Sequence, residues 1–373
     1  AAGALSTLAI NNPHNQLAIA IGLVALLGNG DTDAEEHVTK LLLELSADGD
    51  NRKAIAEAGA IERIVLQLKS ESVLGQELAA SVLNYLICDG RKNIIQCAES
   101  GGVRPLVALL SSTSTVAQSQ AALVIAAMTK GTDNLSNKNQ ASVASEGGIG
   151  PLVALLTAEG DESKAAAAGA LWSLARGLPE TQAAVADAGA VQPLVNLLKS
   201  KDSKQQLKAA GALSGLAAGN PINQDAVTAA DGIPPLVALL GSGNVREVQA
   251  HAADALAEIC RDHMQNQTAV ARAGAIEPLI ALLGENSSHT FTVQAKEMAA
   301  GALWALSARH SDNQTAVAQA RGIQPLVDLL GTGSDQAQIQ AAGALASLAL
   351  NHEENELSVS EKVMTLLDYS SKP

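Results

Sequence analysis

Asn223 opens the stretch NQDAVTAADGIPPLVALL, which closes at Leu240. Asn266 opens NQTAVARAGAIEPLIALL, and Asn313 opens NQTAVAQARGIQPLVDLL. Upstream, Asn51, Asn93, Asn139 and Thr181 open variants of the same line. From Asn51 the successive offsets are 42, 46, 42, 42, 43 and 47 residues, and Asn355 follows 42 residues after Asn313. Self-similarity at such a period marks a stack of small structural units.

Punctuation divides each unit into three helical pieces. The first is short and runs from the Asn to a Gly, as from Asn223 to Gly232. Asn is a good helix N-cap, and Gly tolerates the left-handed backbone that ends a helix. The second piece carries Pro in its first turn, at Pro105, Pro151, Pro193, Pro235, Pro278 and Pro325. There the missing N–H costs nothing. The third piece reads AAGALWSLA or AAGALSGLA, with Ala and Gly for close helix approach and Leu at helical spacing. One unit cannot bury its apolar faces alone, but stacked units can. The expectation is an all-α solenoid of about nine units, forming one solenoid over residues 1–373.

Two units depart from the pattern. Those from Asn15 (NQLAIAIGLVALL) and Asn355 (NELSVSEKVMTLL) lack the Ala-Gly-Ala-Ile-x-Pro elbow, which predicts first and second helices that are fused or poorly folded. The repeat at 355–373 is incomplete, and the chain opens inside a repeat, as a fragment would. Short insertions near Asn137 and Asn286 are expected in inter-helix loops.

Composition narrows the function. Of 373 residues 47% are apolar and only 1% aromatic, which fits a thin, extended core of Ala, Leu, Val and Ile. The net charge is -14, and no basic run is longer than two residues, as at Arg91-Lys92, so no clustered basic footprint for nucleic acid or an anionic membrane surface exists. No apolar run is long enough to span a membrane. Cys88, Cys97 and Cys260 are scattered, which favours a reducing compartment over a disulfide framework. The sequons at Asn134, Asn266, Asn286 and Asn313 read as structural, two of them being helix starts.

Catalytic and cofactor signals are weak. The Gly-rich turns at Gly28, Gly241 and Gly331 follow helices rather than strands and read as helix terminators. Asp31–Asp33 and Asp48–Asp50 lack calcium-loop spacing and read as caps. Cys260 and His263 are two residues, not a metal site. No nucleophile elbow occurs. No metal, cofactor or enzymatic activity is expected.

NQxAVAxAGAIxPLVALL followed by AAGALxxLA resembles the armadillo repeat along nearly the whole chain. That resemblance implies three-helix units in a right-handed superhelix and a scaffold or adaptor role, with third helices lining a concave groove. It also permits the regulatory or substrate-docking region of a larger enzyme, such as an armadillo-repeat ubiquitin ligase, or an assembly role like that of vacuolar or axonemal members. Two residues after the Leu of each Ala-Leu step, importin-α-like members carry Asn. Here the row runs from Thr7 through Glu44, Tyr85, Ala127, Ser173, Gly215, Glu258 and Ala305 to Ser347. Four residues earlier, in place of Trp, stand Gly3, Lys40, Ser81, Leu123, Gly169, Gly211, Asp254, Gly301 and Gly343. The import mechanism therefore does not carry over.

The candidate groove residues are Glu44, Asn84, Tyr85, Trp172, Ser173, Asp254, Glu258 and Trp304. Trp172 and Trp304 share one repeat position, either packing on the next third helix or anchoring a partner. Asp254 and Glu258, four apart, repel one another unless a partner's Lys or Arg lies between. Arg176 and Arg261 suit helix C-termini. The partner implied is a protein with a basic extended or helical segment, in the cytoplasm and also the nucleus. Oligomeric state stays open.

Overall fold

The computed structural model describes residues 13–28, 32–284 and 289–370. Gly3, Thr7, Asp31 and the insertion at Asn286 lie outside them. The described residues form 24 helices and no strand. The chain divides into two compact units, 1–188 and 189–373.

The first unit contains α1 (Pro13–Leu26), α2 (Thr32–Leu45), α3 (Gly49–Glu57), α4 (Ala60–Gln67), α5 (Val73–Ile87) and α6 (Arg91–Glu99). It continues with α7 (Val103–Leu109), α8 (Thr115–Thr129), α9 (Asn134–Ser145), α10 (Ile149–Leu155), α11 (Asp161–Ala175) and α12 (Pro179–Asp187). The third helices α2, α5, α8 and α11 pack on one another in sequence order. The second unit contains α13 (Val191–Leu198), α14 (Ser203–Ala217), α15 (Pro221–Ala229), α16 (Ile233–Leu239), α17 (Arg246–Cys260) and α18 (Met264–Arg272). It ends with α19 (Ile276–Leu283), α20 (Thr290–Ser307), α21 (Ser311–Gln319), α22 (Ile323–Thr332), α23 (Asp335–Ala349) and α24 (Glu353–Ser370). Its third helices are α14, α17, α20 and α23, again consecutive neighbours.

Small residues let these helices approach. Ala165 to Ala170 of α11 are all buried, as are Ala209 to Ala212 of α14. The Leu or Ile of each Ala-Leu step forms the core line: Leu42, Leu83, Ile125 and Leu171 in one unit, and Leu213, Leu256, Leu303 and Leu345 in the other, none above 3% exposed. Each such side chain contributes about 1.5–3 kcal/mol by leaving water.

The two units without an elbow are fused. α1 and α24 each run unbroken through the segment where other repeats turn. The insertion near Asn137 is not a loop: it lies inside α9, which reaches 12 residues where other first helices have 9. The turn Gly331-Thr332-Gly333 does end a helix, at its last residue: α22 continues to Thr332 and Gly333 is its C-cap.

The recurring Asn is not an N-cap. The caps lie three residues earlier, or six before Asn139: Asp48 Oδ1 accepts from Asp50 and Asn51, and Asn220 Oδ1 accepts from the Asn223 amide. Asn223 is buried in the first turn, and its Nδ2 donates to the Leu216 carbonyl at 2.9 Å. Asn93, Asn266, Asn313 and Asn355 make the same bond to Leu86, Ile259, Leu306 and Leu348. Thr181 substitutes with its hydroxyl on the Leu174 carbonyl. A helix leaves its last four carbonyls unpaired. The Asn therefore satisfies the end of the third helix before it.

The following Gln reaches the next repeat. Gln224 Nε2 donates to the carbonyls of Glu258 and Arg261, Gln267 to those of Ala305 and Ala308, and Gln314 to those of Ser347 and Leu350. Three first helices of the second unit are capped by His263, His310 and His352. Their Nδ1 atoms accept amides of Asn266, Asn313 and Asn355, each at 3.4 Å. Their Nε2 atoms meet Asp225, Thr268 and Thr315 on the preceding first helix. An accepting Nδ1 requires the proton on Nε2.

The left-handed residue of the elbow sits one place earlier than the Asn223–Gly232 reading implies. Asp231 has φ 59° and Gly232 φ −78°. Gly232 is needed for space, since a Cβ would fall 2.8 Å from Val227 Cγ1 and 2.9 Å from the Val227 carbonyl oxygen.

Candidate functional site

While Ser214, Ala257, Ala305 and Ser347 are buried, other side chains one and two places after a core Leu emerge at the edge of the third-helix row. In the first unit these include Glu44 on α2 and Tyr85 on α5, both exposed, Tyr85 by 43%. Asn84, half-buried, donates to Gln120 Oε1 on α8 at 2.9 Å. Ser173 donates to the carbonyls of Ala126 and Gly169. Both therefore already serve packing between third helices. Trp172 is half-buried, with the Arg176 guanidinium 6.0 Å from its ring centroid.

In the second unit, Trp304 packs on the next third helix, the first of the two roles its sequence position allowed. Its ring covers Gly343 of α23 so closely that a Cβ there would lie 2.6 Å from the indole. The same side chain stays 37% exposed. Ser214 Oγ donates to Asp254 Oδ2 at 2.6 Å, so the position after one core Leu faces the position two before the next. Glu258 does not wait for a partner's cation. Arg261 forks onto it, with contacts of 2.8 and 3.1 Å, and the paired carboxylate holds the guanidinium above its ordinary range.

Sequence reasoning missed Glu297 on α20. Partial burial, then the Asp254 charge, raises its carboxyl above the usual range. Its place six residues before Leu303 matches Ala250 and Leu207 in neighbouring repeats, so only the stagger between helices identifies it. Cys260 is buried and His263 pairs with Asp225 at 3.0 Å. Among the described residues no cluster of three or more His, Cys, Asp or Glu could hold a metal, and no helix is long and apolar enough to cross a membrane.

The sequence profile of the Armadillo/beta-catenin-like repeat matches residues 90–126, 136–176, 179–218, 220–261 and 310–350. The chain belongs to that family. Curated proteins give no match. Among solved structures, this armadillo chain resembles an engineered protein, a structural-genomics target, with TM-score 0.84, 31% identity and coverage of 97% of this chain and 87% of that one. A designed armadillo repeat protein, YIII(Dq)4CqI, aligns with TM-score 0.59 and 28% identity over 66% of this chain and 99% of its own. Another, solved in complex with peptide (KR)4, aligns with TM-score 0.57 and 26% identity over 64% of this chain and 98% of its own. Armadillo repeats are protein-binding scaffolds, and this chain shares their solenoid fold.

Proposed function

We propose that the chain is a non-catalytic scaffold or adaptor that holds a basic extended or helical segment of a protein partner on its third-helix rows, as one continuous solenoid. One observation carries the reading: partly exposed aromatics share those rows with carboxylates. Tyr85 accompanies Glu44, and Trp304 accompanies Asp254, Glu258 and Glu297. Lys and Arg are attracted to aromatic faces as well as to carboxylates. The designed neighbour bound to (KR)4 supports the same chemistry. Free thiols at Cys88, Cys97 and Cys260 support a cytoplasmic location, shared with the nucleus.

The test is fluorescence anisotropy with labelled (KR)4 peptide and the variants Trp304→Ala and Glu258→Lys. Each is expected to weaken binding about tenfold or more. Binding unchanged in both variants, or no binding by the parent, refutes the assignment.

A further inference from the structure

Two clefts of one construction lie away from the residues just described, one in each unit. The first has a volume of about 570 Å³ and the second about 480 Å³. Both lie within the ordinary range of ligand sites.

Six positions of their walls carry the same residue type. In the first unit the cleft runs from Leu68 and Lys69, at the end of α4, past Gln76 in the first turn of α5, to Pro105, Ala108 and Leu109 of α7. In the second, Leu198, Lys199, Gln206, Pro235, Ala238 and Leu239 occupy the same places on α13, α14 and α16. Both glutamines are fixed alike. Gln76 Nε2 donates to the Ser70 carbonyl at 2.8 Å, and Gln206 Nε2 to that of Ser200 at 2.7 Å. The sequence signature is Leu-Lys-Ser with Gln six residues after the Ser, and it occurs at these two places. After α7 the corresponding residue is Ser111, and after α16 it is Gly241.

Each cleft therefore has an apolar floor beside a lysine, in which the leucines are already buried and the exposed apolar surface comes chiefly from Ala108 in one and Ala238 with the prolines in the other. Both lysines are exposed, and neither ammonium enters a hydrogen bond or ion pair among the described residues. In the first cleft Arg104 adds a second cation, 85% exposed, whose one carboxylate contact, Glu146, is 4.0 Å away. The second cleft has Pro234 there, with Asp231 at its edge. In a chain of net charge -14, the first cleft is a local positive site bordered by apolar surface, and in the second the exposed Lys199 stands against a single carboxylate, Asp231.

We propose that each cleft docks an acidic-apolar peptide segment. A Leu or Phe side chain lies on the Pro-Ala-Leu floor, and a neighbouring Asp or Glu carboxylate pairs with Lys69 or Lys199. Charge complementarity selects this occupant. A basic segment is repelled at the lysine, and a wholly polar acidic one leaves the floor wet. The partner chemistry is opposite to that of the third-helix rows, so one scaffold holds two kinds of segment.

The test uses the whole chain and three fluorescein-labelled peptides, (ELEF)3, (KLKF)3 and (EGEG)3, read by anisotropy. The expected result is binding of (ELEF)3, with (EGEG)3 at least tenfold weaker, while (KLKF)3, which the third-helix rows hold, keeps its affinity when the cleft lysines are changed. The double variant Lys69→Glu with Lys199→Glu is expected to weaken (ELEF)3 about tenfold. The same charge change at Lys92 and Lys138, outside both clefts, serves as the control and is expected to change Kd less than twofold. Trp304→Ala is expected to leave (ELEF)3 binding intact. No binding of (ELEF)3, equal binding of (EGEG)3, or equal loss in the control variant overturns the proposal.

Discussion

Substituting Asn313 distinguishes a helix cap from a cross-helix staple. Asn313 is 3% exposed, and its Nδ2 donates to the Leu306 carbonyl at 2.9 Å and the Gln267 carbonyl at 3.2 Å. Leu306 belongs to the last turn of α20, whose carbonyls have no intrahelical partner. Gln267 lies inside α18, so its oxygen keeps an intrahelical bond when Asn313 is lost. Asn313→Ala thus strands one buried carbonyl fully and weakens another, which predicts a loss of about 2–3 kcal/mol. Asn313→Asp is the decisive variant. At an N-cap Asp equals Asn, and the change is near zero. As a staple, Asp turns an acceptor, charged and buried, toward two acceptors, and the loss is about 3 kcal/mol or more, exceeding that of Ala. At the true cap, His310→Asp keeps an acceptor for the Asn313 amide and gains from the helix dipole, while losing the Thr268 contact; the net change stays within about 1 kcal/mol. Amide hydrogen exchange at the C-terminal end of α20, together with urea unfolding, reads both. If Asn313→Asp proves milder than Asn313→Ala, the staple reasoning is wrong.

Three further outcomes are expected. Asp133 caps α9 and accepts from Arg91 at 2.7 Å; that bond, then the Ser136 amide, lowers its carboxyl to about 2. Because the folded value is depressed, its stabilisation is present above the unfolded value of about 4 and is lost as pH falls toward 2. Urea midpoints of Asp133→Asn and the parent should therefore differ above pH ~4 and converge near pH ~2. Burial pushes the Cys97 thiol up to about 12 and raises Cys260 also, whereas Cys88 is exposed. A thiol reagent should label Cys88 quickly in the native protein and the other two only on unfolding; three equally fast thiols would contradict the packing. Arg321 occupies left-handed backbone, φ 63°, where sister repeats use Gly189 and Gly274. Arg321→Gly should raise thermal stability by about 1 kcal/mol, the relief of left-handed strain exceeding the entropy cost of glycine, and a lowered Tm would refute this.

The repeat architecture was legible because its signals are local. Pro in a first turn, a left-handed break and a run of Ala and Leu each act within a few residues. The helices at Asn223, Asn266 and Asn313 follow directly from them. The role of those Asn residues was not legible, because cap and staple use the same amino acid in the same turn. Only the distance to Leu216, Ile259 and Leu306 separates the two. One sequence signal was available. Caps in this chain include Asp48, Asp133 and Asp202, yet the staple position holds Asn or Thr and never Asp. A position that admits two donors and rejects the best acceptor is a donor position.

The candidate site was legible only in part, for a related reason. Repeat numbering places Trp304, Asp254 and Glu258 on the correct helices, but not against the correct neighbours. The position after a core Leu meets the position two before the next core Leu, as Ser214 meets Asp254 and Trp304 covers Gly343. This stagger comes from how side chains of two helices interlock, and no single repeat encodes it. It changes the chemistry read from the row. Asp254 is held by a hydroxyl, Glu258 is neutralised by Arg261 on its own turn, and the carboxylate in the less favourable setting is Glu297, one helix further on. A cation arriving on that face therefore gains most beside Glu297, where partial burial and the Asp254 charge already disfavour its ionisation, and less beside Glu258, where it competes with an arginine in place.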